Sequence, residues 1–142
     1  MNTVDHDLLQ AAQRSWAHAH APFSRFKVSV AVRADDGSVY TGVNVENIAF
    51  PLGWCAEVSA LGALASAGRR RVMAIALCAN SVDPIVPCGG CRQRLLAFAE
   101  PDTLIFCGTP HHWVQTLRLG DLLPQHFNAL TQHPDEPTPP HA

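Results

Sequence analysis

The stretch RVMAIALCANSVDPIVPCGGCRQRLLAFAEPDTLIFCG, residues 71–108, carries the pattern that decides the fold. Residues 71–79, RVMAIALCA, form the near-continuous apolar run expected of a strand covered on both faces. Pro84 and Pro87 bracket a loop, and CRQRLLAFAE, residues 91–100, reads as a helix closed by Pro101. An apolar strand, TLIFCG at 103–108, follows. Strand, helix and strand in this order predict a parallel crossover, which is right-handed in nearly all sheets.

Working outward, leucines, alanines and Trp16 recur at helical spacing from Asp5 to His20, before Pro22 breaks the pattern. Residues 27–47, KVSVAVRADDGSVYTGVNVEN, are two β-rich runs around Asp-Asp-Gly, a hairpin signal. The turn-rich AFPLGW at 49–54 leads into CAEVSALGALASAG, residues 55–68, a helix stopped by Gly68. HWVQTLRL at 112–119 reads as a further strand and LGDLLPQHF at 119–127 as a last turn of helix. The order predicts an α/β fold, a three-layer α-β-α sandwich around a mixed five-stranded sheet. One domain over residues 1–128 is expected, with a proline-rich disordered tail at 129–142.

Composition limits the function classes. With 142 residues, 47% hydrophobic, 15% charged and a net charge of −2, the chain offers no basic face for nucleic-acid phosphates. The Arg69–Arg71 triplet reads as a solvated helix-to-strand loop. No apolar run is long enough to span a membrane, and MNTVDHDLLQ lacks the layout of a signal peptide. A cytoplasmic protein is expected, where disulfides rarely persist. Five cysteines, an odd number, also suit a disulfide framework poorly, so metal or redox chemistry is read first.

Cys88 and Cys91 stand three apart where a helix begins, so both sulfurs can face one point. A helix N-terminus favours the thiolate form that ligates metal. Cys55, also where a loop feeds a helix, is the leading third ligand; Cys78 and Cys107 sit in apolar strands and read as core. Glu57, two residues after Cys55, is poorly placed as a second ligand but could stand beside a metal-bound water. Taken alone, Cys-x-x-Cys fits a structural zinc knuckle, a dithiol pair or a catalytic site equally well. Arg92 could temper thiolate charge or merely tie loops together. Together, Cys-Ala-Glu and Pro-Cys-Gly-Gly-Cys meet the spacing of the zinc deaminase signature with cysteine in place of histidine.

With APFSRFKVSVAV, TGVNVEN, CAE, PCGGCRQR and LGDLLPQHF in this order, the chain resembles the small homotetrameric cytidine deaminases over nearly its whole length. The resemblance implies one zinc per subunit on Cys55, Cys88 and Cys91, with Glu57 as proton shuttle. Asn44 and Glu46 would bond the ribose hydroxyls, Phe26 would pack on the pyrimidine, and the Ala56 backbone would meet the ring carbonyl. Phe127 would reach a neighbouring subunit's site in a homotetramer. The implied activity is hydrolysis of cytidine and deoxycytidine, small-molecule nucleosides, to uridine, deoxyuridine and ammonia in pyrimidine salvage. Alternatives are a deaminase of a modified cytidine or other aminopyrimidine, with a blasticidin-type substrate disfavoured by NVEN, or a non-catalytic zinc-binding fold. Four positions depart from the family pattern: Val58 where arginine is common, Phe50 for tyrosine, Ile48 for alanine and Ser29 for glycine. His18, His20, His111 and His112 read as surface histidines.

Overall fold

The structure, a computed structural model, describes residues 3–83 and 85–127. The tail expected at 129–142 and the domain boundary at 128 lie outside the described residues.

Helix α1 spans His6–Trp16, and Asp5 caps it by accepting from the Leu8 N–H at 3.0 Å. Leu8, Leu9 and Ala12 form its buried stripe. The helix stops before His20 because the chain turns off to pair with the strand region: the His20 N–H donates to Asn44 O and the Glu46 N–H to His20 O. Trp16 Nε1 fixes the exit by donating to Lys27 O at 2.8 Å.

Strands β1 (Val28–Ala34) and β2 (Val39–Val43) form the expected hairpin, with Val32 opposite Tyr40. Gly37 takes the left-handed conformation at φ 87°, and Asp36 Oδ1 accepts the Ser38 N–H across the turn. Helix α2 (Ala56–Ser66) follows, then β3 (Val72–Ala79), α3 (Gly89–Leu96), β4 (Ala99–Gly108), β5 (Trp113–Arg118) and the single turn α4 (Leu119–Leu122). The sheet order is β2-β1-β3-β4-β5; only β3 and β4 run parallel, joined through α3.

The helix predicted over 91–100 is corrected at both ends. It begins at Gly89, ends at Leu96, and the chain is already in β4 at Ala99. Pro101 disfavours helical backbone in the residue before it, and it sits where β4 bulges. Between the pairs Val72–Ala99 and Ala74–Leu104, β3 advances by two residues and β4 by five. The surplus chain holds the proline without breaking the ladder.

Period-two alternation sorts the sheet's side chains into two layers. Ala31, Ala76, Cys78 and Phe106 meet Leu8, Leu9 and Ala12 of α1. Val30, Val32, Ile75, Leu77, Ile105 and Cys107 meet Ala56, Ala60, Leu64, Leu95 and Leu119 on the other face. Cys78 and Cys107 are thus core residues on opposite faces, and Ser29 is a packing residue whose hydroxyl donates to Ala12 O.

One glycine sets how closely α2 lies on the sheet. A Cβ at Gly42 would come within 2.2 Å of Ala60 N and 2.6 Å of Ala56 O. Gly42→Ala must push the start of α2 outward, and overpacking of this kind costs about 1–3 kcal/mol or more. The expected outcome is a lower midpoint in urea unfolding together with weakened metal binding, since Cys55 and Glu57 travel with that helix end; an unchanged midpoint would contradict the close approach.

Candidate active site and metal centre

Cys55 is the N-cap of α2 and Cys88 the N-cap of α3; both have extended backbone and neither thiol is used in capping. Cys91 lies one turn into α3 and is fully buried. The Cys55 and Cys88 sulfurs are 3.8 Å apart, and all three ligand atoms lie within 4.8 Å of one another. A zinc–sulfur bond of about 2.3 Å in tetrahedral geometry requires sulfurs about 3.8 Å apart. The residues therefore fit zinc. The spacing is far from the roughly 2.05 Å of a disulfide, and all five cysteines are free.

The three thiols differ in their environment. Burial raises the Cys55 thiol, and burial, aided by the Glu57 charge, drives Cys91 well above the ordinary range. Cys88, the most exposed of the three, is instead lowered: burial pushes it up, but the backbone and thiol of Cys91 and the thiol of Cys55 outweigh that. Outside the cluster, burial holds Cys78 at about 11 and Cys107 at about 12, the neutral thiols of a core.

Glu57 sits in the first turn of α2 and is only 3% exposed. Burial raises its carboxyl, against the opposing effects of its own backbone N–H, the Cys91 thiol and the Arg94 charge. Its charge is felt by all three cluster sulfurs. A proton-carrying group buried beside a potential metal is the equipment of acid–base chemistry.

A second set of residues lies along the segment leading to Cys55. Val45 and Trp54 exchange backbone hydrogen bonds of 3.0 Å in both directions. Asn44 Oδ1 accepts the Val28 N–H at 2.8 Å and its Nδ2 donates to Phe26 O at 2.9 Å. Glu46 accepts from the backbone N–H groups of Phe23 and Ser24, both at 3.0 Å, and from the Ser24 hydroxyl. Asn44, Glu46 and Phe26 are therefore brought together, with the two polar side chains gripping the loop that presents Phe26. Ala56 is buried at the start of α2. Phe127 stands apart, 64% exposed, its carbonyl accepting from Gln93 Nε2 at 3.0 Å.

Arg92 ties loops together: Nε donates to Pro87 O at 2.8 Å and Nη1 to Leu122 O at 2.7 Å. The guanidinium near the sulfurs belongs to Arg94, whose Nη1 is 3.8 Å from Cys91 Sγ. Sequence reading passed over it, although its spacing of three from Cys91 repeats the spacing from Cys88 to Cys91.

A three-layer sheet sandwich whose two helix starts gather three thiols around a buried carboxylate defines the zinc-dependent deaminase class. The family model described as "Cytidine and deoxycytidylate deaminase zinc-binding region" matches residues 2–107. A Mycobacterium tuberculosis protein named cytidine deaminase is 42% identical over 128 residues, covering 89% of this chain and 92% of its own length. One of that name from Halalkalibacterium halodurans is 39% identical, covering 86% of this chain and 92% of its own. The crystal structure of a Burkholderia pseudomallei cytidine deaminase superposes with a TM-score of 0.82 at 38% identity, covering 88% of this chain and all of that one. The chain belongs to the zinc-binding cytidine and deoxycytidylate deaminase family.

Metal analysis of the purified protein is expected to give about one zinc per chain. Cys91→Ala, which removes the buried ligand, should reduce zinc content to background; retention of stoichiometric zinc by that variant would place the ion elsewhere.

Proposed function

We propose that the protein hydrolyses cytidine and deoxycytidine to uridine, deoxyuridine and ammonia, in cytoplasmic pyrimidine salvage. The observation carrying this reading is the set of three sulfurs within 4.8 Å at two helix starts, beside a carboxylate that is 3% exposed. Three ligands leave a tetrahedral position open, as catalytic rather than structural sites do. The five free thiols suit a reducing compartment.

When bound, zinc supplies the Lewis acidity that brings water toward ionisation near neutral pH. Glu57 takes up a proton from the attacking water and delivers it to N3 of the pyrimidine, making C4 more electrophilic. With the water oxygen bonded to C4, Glu57 takes that oxygen's remaining proton and conveys it to the amino group, and the C4–N bond breaks to release ammonia. Its raised carboxyl suits this task, because a shuttle must bind and release the proton at working pH. The Ala56 N–H, in the first turn of α2, has no intrahelical acceptor and is free to meet the ring carbonyl. Phe26, 38% exposed, offers a face to the base. Asn44 keeps a second Nδ2 hydrogen and Glu46 a spare lone pair beyond their loop contacts, and these serve the ribose hydroxyls.

A homotetramer with shared sites is part of the proposal. Ile48, Phe50, Leu52 and Trp54 are 82%, 73%, 63% and 48% exposed along the one segment that leads into Cys55. Such an apolar ridge in a soluble protein marks a contact surface. Phe127, equally exposed, then reaches a neighbouring subunit's pocket. Preference for a modified cytidine is the second reading, favoured by the edge-to-face contact of Phe50 with Phe23, which puts apolar bulk on the loop held by Glu46.

Glu57→Gln is expected to keep zinc yet lose at least about a thousandfold in ammonia release, equivalent to about 4 kcal/mol at the transition state. Ultraviolet absorbance with cytidine, deoxycytidine and 5-substituted cytidines reads this loss and ranks the substrates. Normal turnover by that variant would remove the shuttle. Sedimentation should find a tetramer, and Phe127→Ala should raise KM within an intact tetramer; full activity in a demonstrated monomer would exclude a role in trans.

A further inference from the structure

We infer that Arg94 is a positioning residue for the metal site, its guanidinium offsetting the excess negative charge that three thiolates place on a dication. The inference rests on the zinc reading of Cys55, Cys88 and Cys91. Three thiolates and one zinc leave a net charge of −1, and the Glu57 carboxylate, when ionised, adds another beside it. Burying that charge without a counterion is unfavourable, and Cys91 is fully buried.

The cations that could answer are few. Val58, directly after Glu57, brings none from α2. Arg92 is committed to Pro87 O and Leu122 O. Arg94 remains, with Nη1 at 3.8 Å from Cys91 Sγ and its charge reaching Glu57. Among the described residues it forms no carboxylate ion pair; the two such arginine pairs are Arg33–Asp5 and Arg69–Asp36.

Its direction, the usual one for a long helical side chain, brings it to the sulfurs. Arg94 lies in the last turn of α3, where a cation normally serves the helix C-terminus. The side chain runs back one turn, toward the N-terminal end where the sulfurs gather. Gly90 leaves room for it: a Cβ there would sit 3.1 Å from Arg94 Nη1, whereas one on Gly89 would meet nothing within 4 Å. The second glycine of Cys-Gly-Gly-Cys thus opens a lane for the guanidinium.

The test is zinc affinity, measured by competition with a chromogenic chelator and independent of turnover, on wild type, Arg94→Ala and Arg94→Lys, with thermal unfolding of the metal-free proteins alongside. Arg94→Ala is expected to weaken zinc binding roughly ten- to a hundredfold, as loss of outer partners of metal ligands does. Arg94→Lys should remain near wild type, and the metal-free proteins should unfold alike. Unchanged affinity in Arg94→Ala, or equal weakening in Arg94→Lys, overturns the charge role while leaving the three-thiolate site standing. Wild type that holds no zinc removes the site itself and the inference with it.

Discussion

Two helix beginnings pointing at one spot govern this molecule. Each helix start exposes backbone N–H groups and the positive end of a dipole, and Cys55 and Cys88 occupy the two N-caps. Such an arrangement welcomes anions, yet Cys55 and Cys91 are raised by burial. Dipoles alone do not ionise buried sulfurs. A dication reverses the balance, and because ligands must lose protons to bind it, metal binding and completion of the site are one event.

The sheet makes the convergence possible. The β3–α3–β4 crossover delivers α3 to the face that already carries α2, so Cys88, 33 residues along the chain, arrives beside Cys55 together with Cys91. The Gly42 contact lowers α2 onto β2, and the Val45–Trp54 bridge joins the other edge of the site to the residue before Cys55. Phe26, Asn44 and Glu46 are therefore referenced to the same backbone as the sulfurs. A shift of one layer moves all of them.

Much of this was legible in local pattern. Asp-Asp-Gly between alternating runs specifies a hairpin by turn chemistry alone, and the apolar run at 71–79 marks a doubly covered strand. Cys88 and Cys91 were readable because helical spacing puts positions three apart on one face. What escaped was tertiary. The end of α3 at Leu96 depends on the β4 bulge around Pro101, and no periodicity in residues 91–100 announces a bulge. Gly42 looks like any strand glycine until Ala60 lies over it. Arg92 and Arg94 are indistinguishable by type, and only the fold shows one bound to carbonyls and the other to a sulfur. That Asn44 and Glu46 also hold the loop carrying Phe26 was not readable from their alternation along the strand.

Glu57 is a buried carboxyl set beside the three sulfurs. A purely structural ion needs its sulfurs and no buried acid; a carboxylate beside three thiolates destabilises the ionised cluster, and its influence appears as an upward push on each sulfur. An acid held at 3% exposure beside three thiols is the kind of environment that marks functional sites. Burial raises its carboxyl, so the neutral form becomes accessible beside the metal site, while Cys91 and Arg94 keep the ionised form within reach.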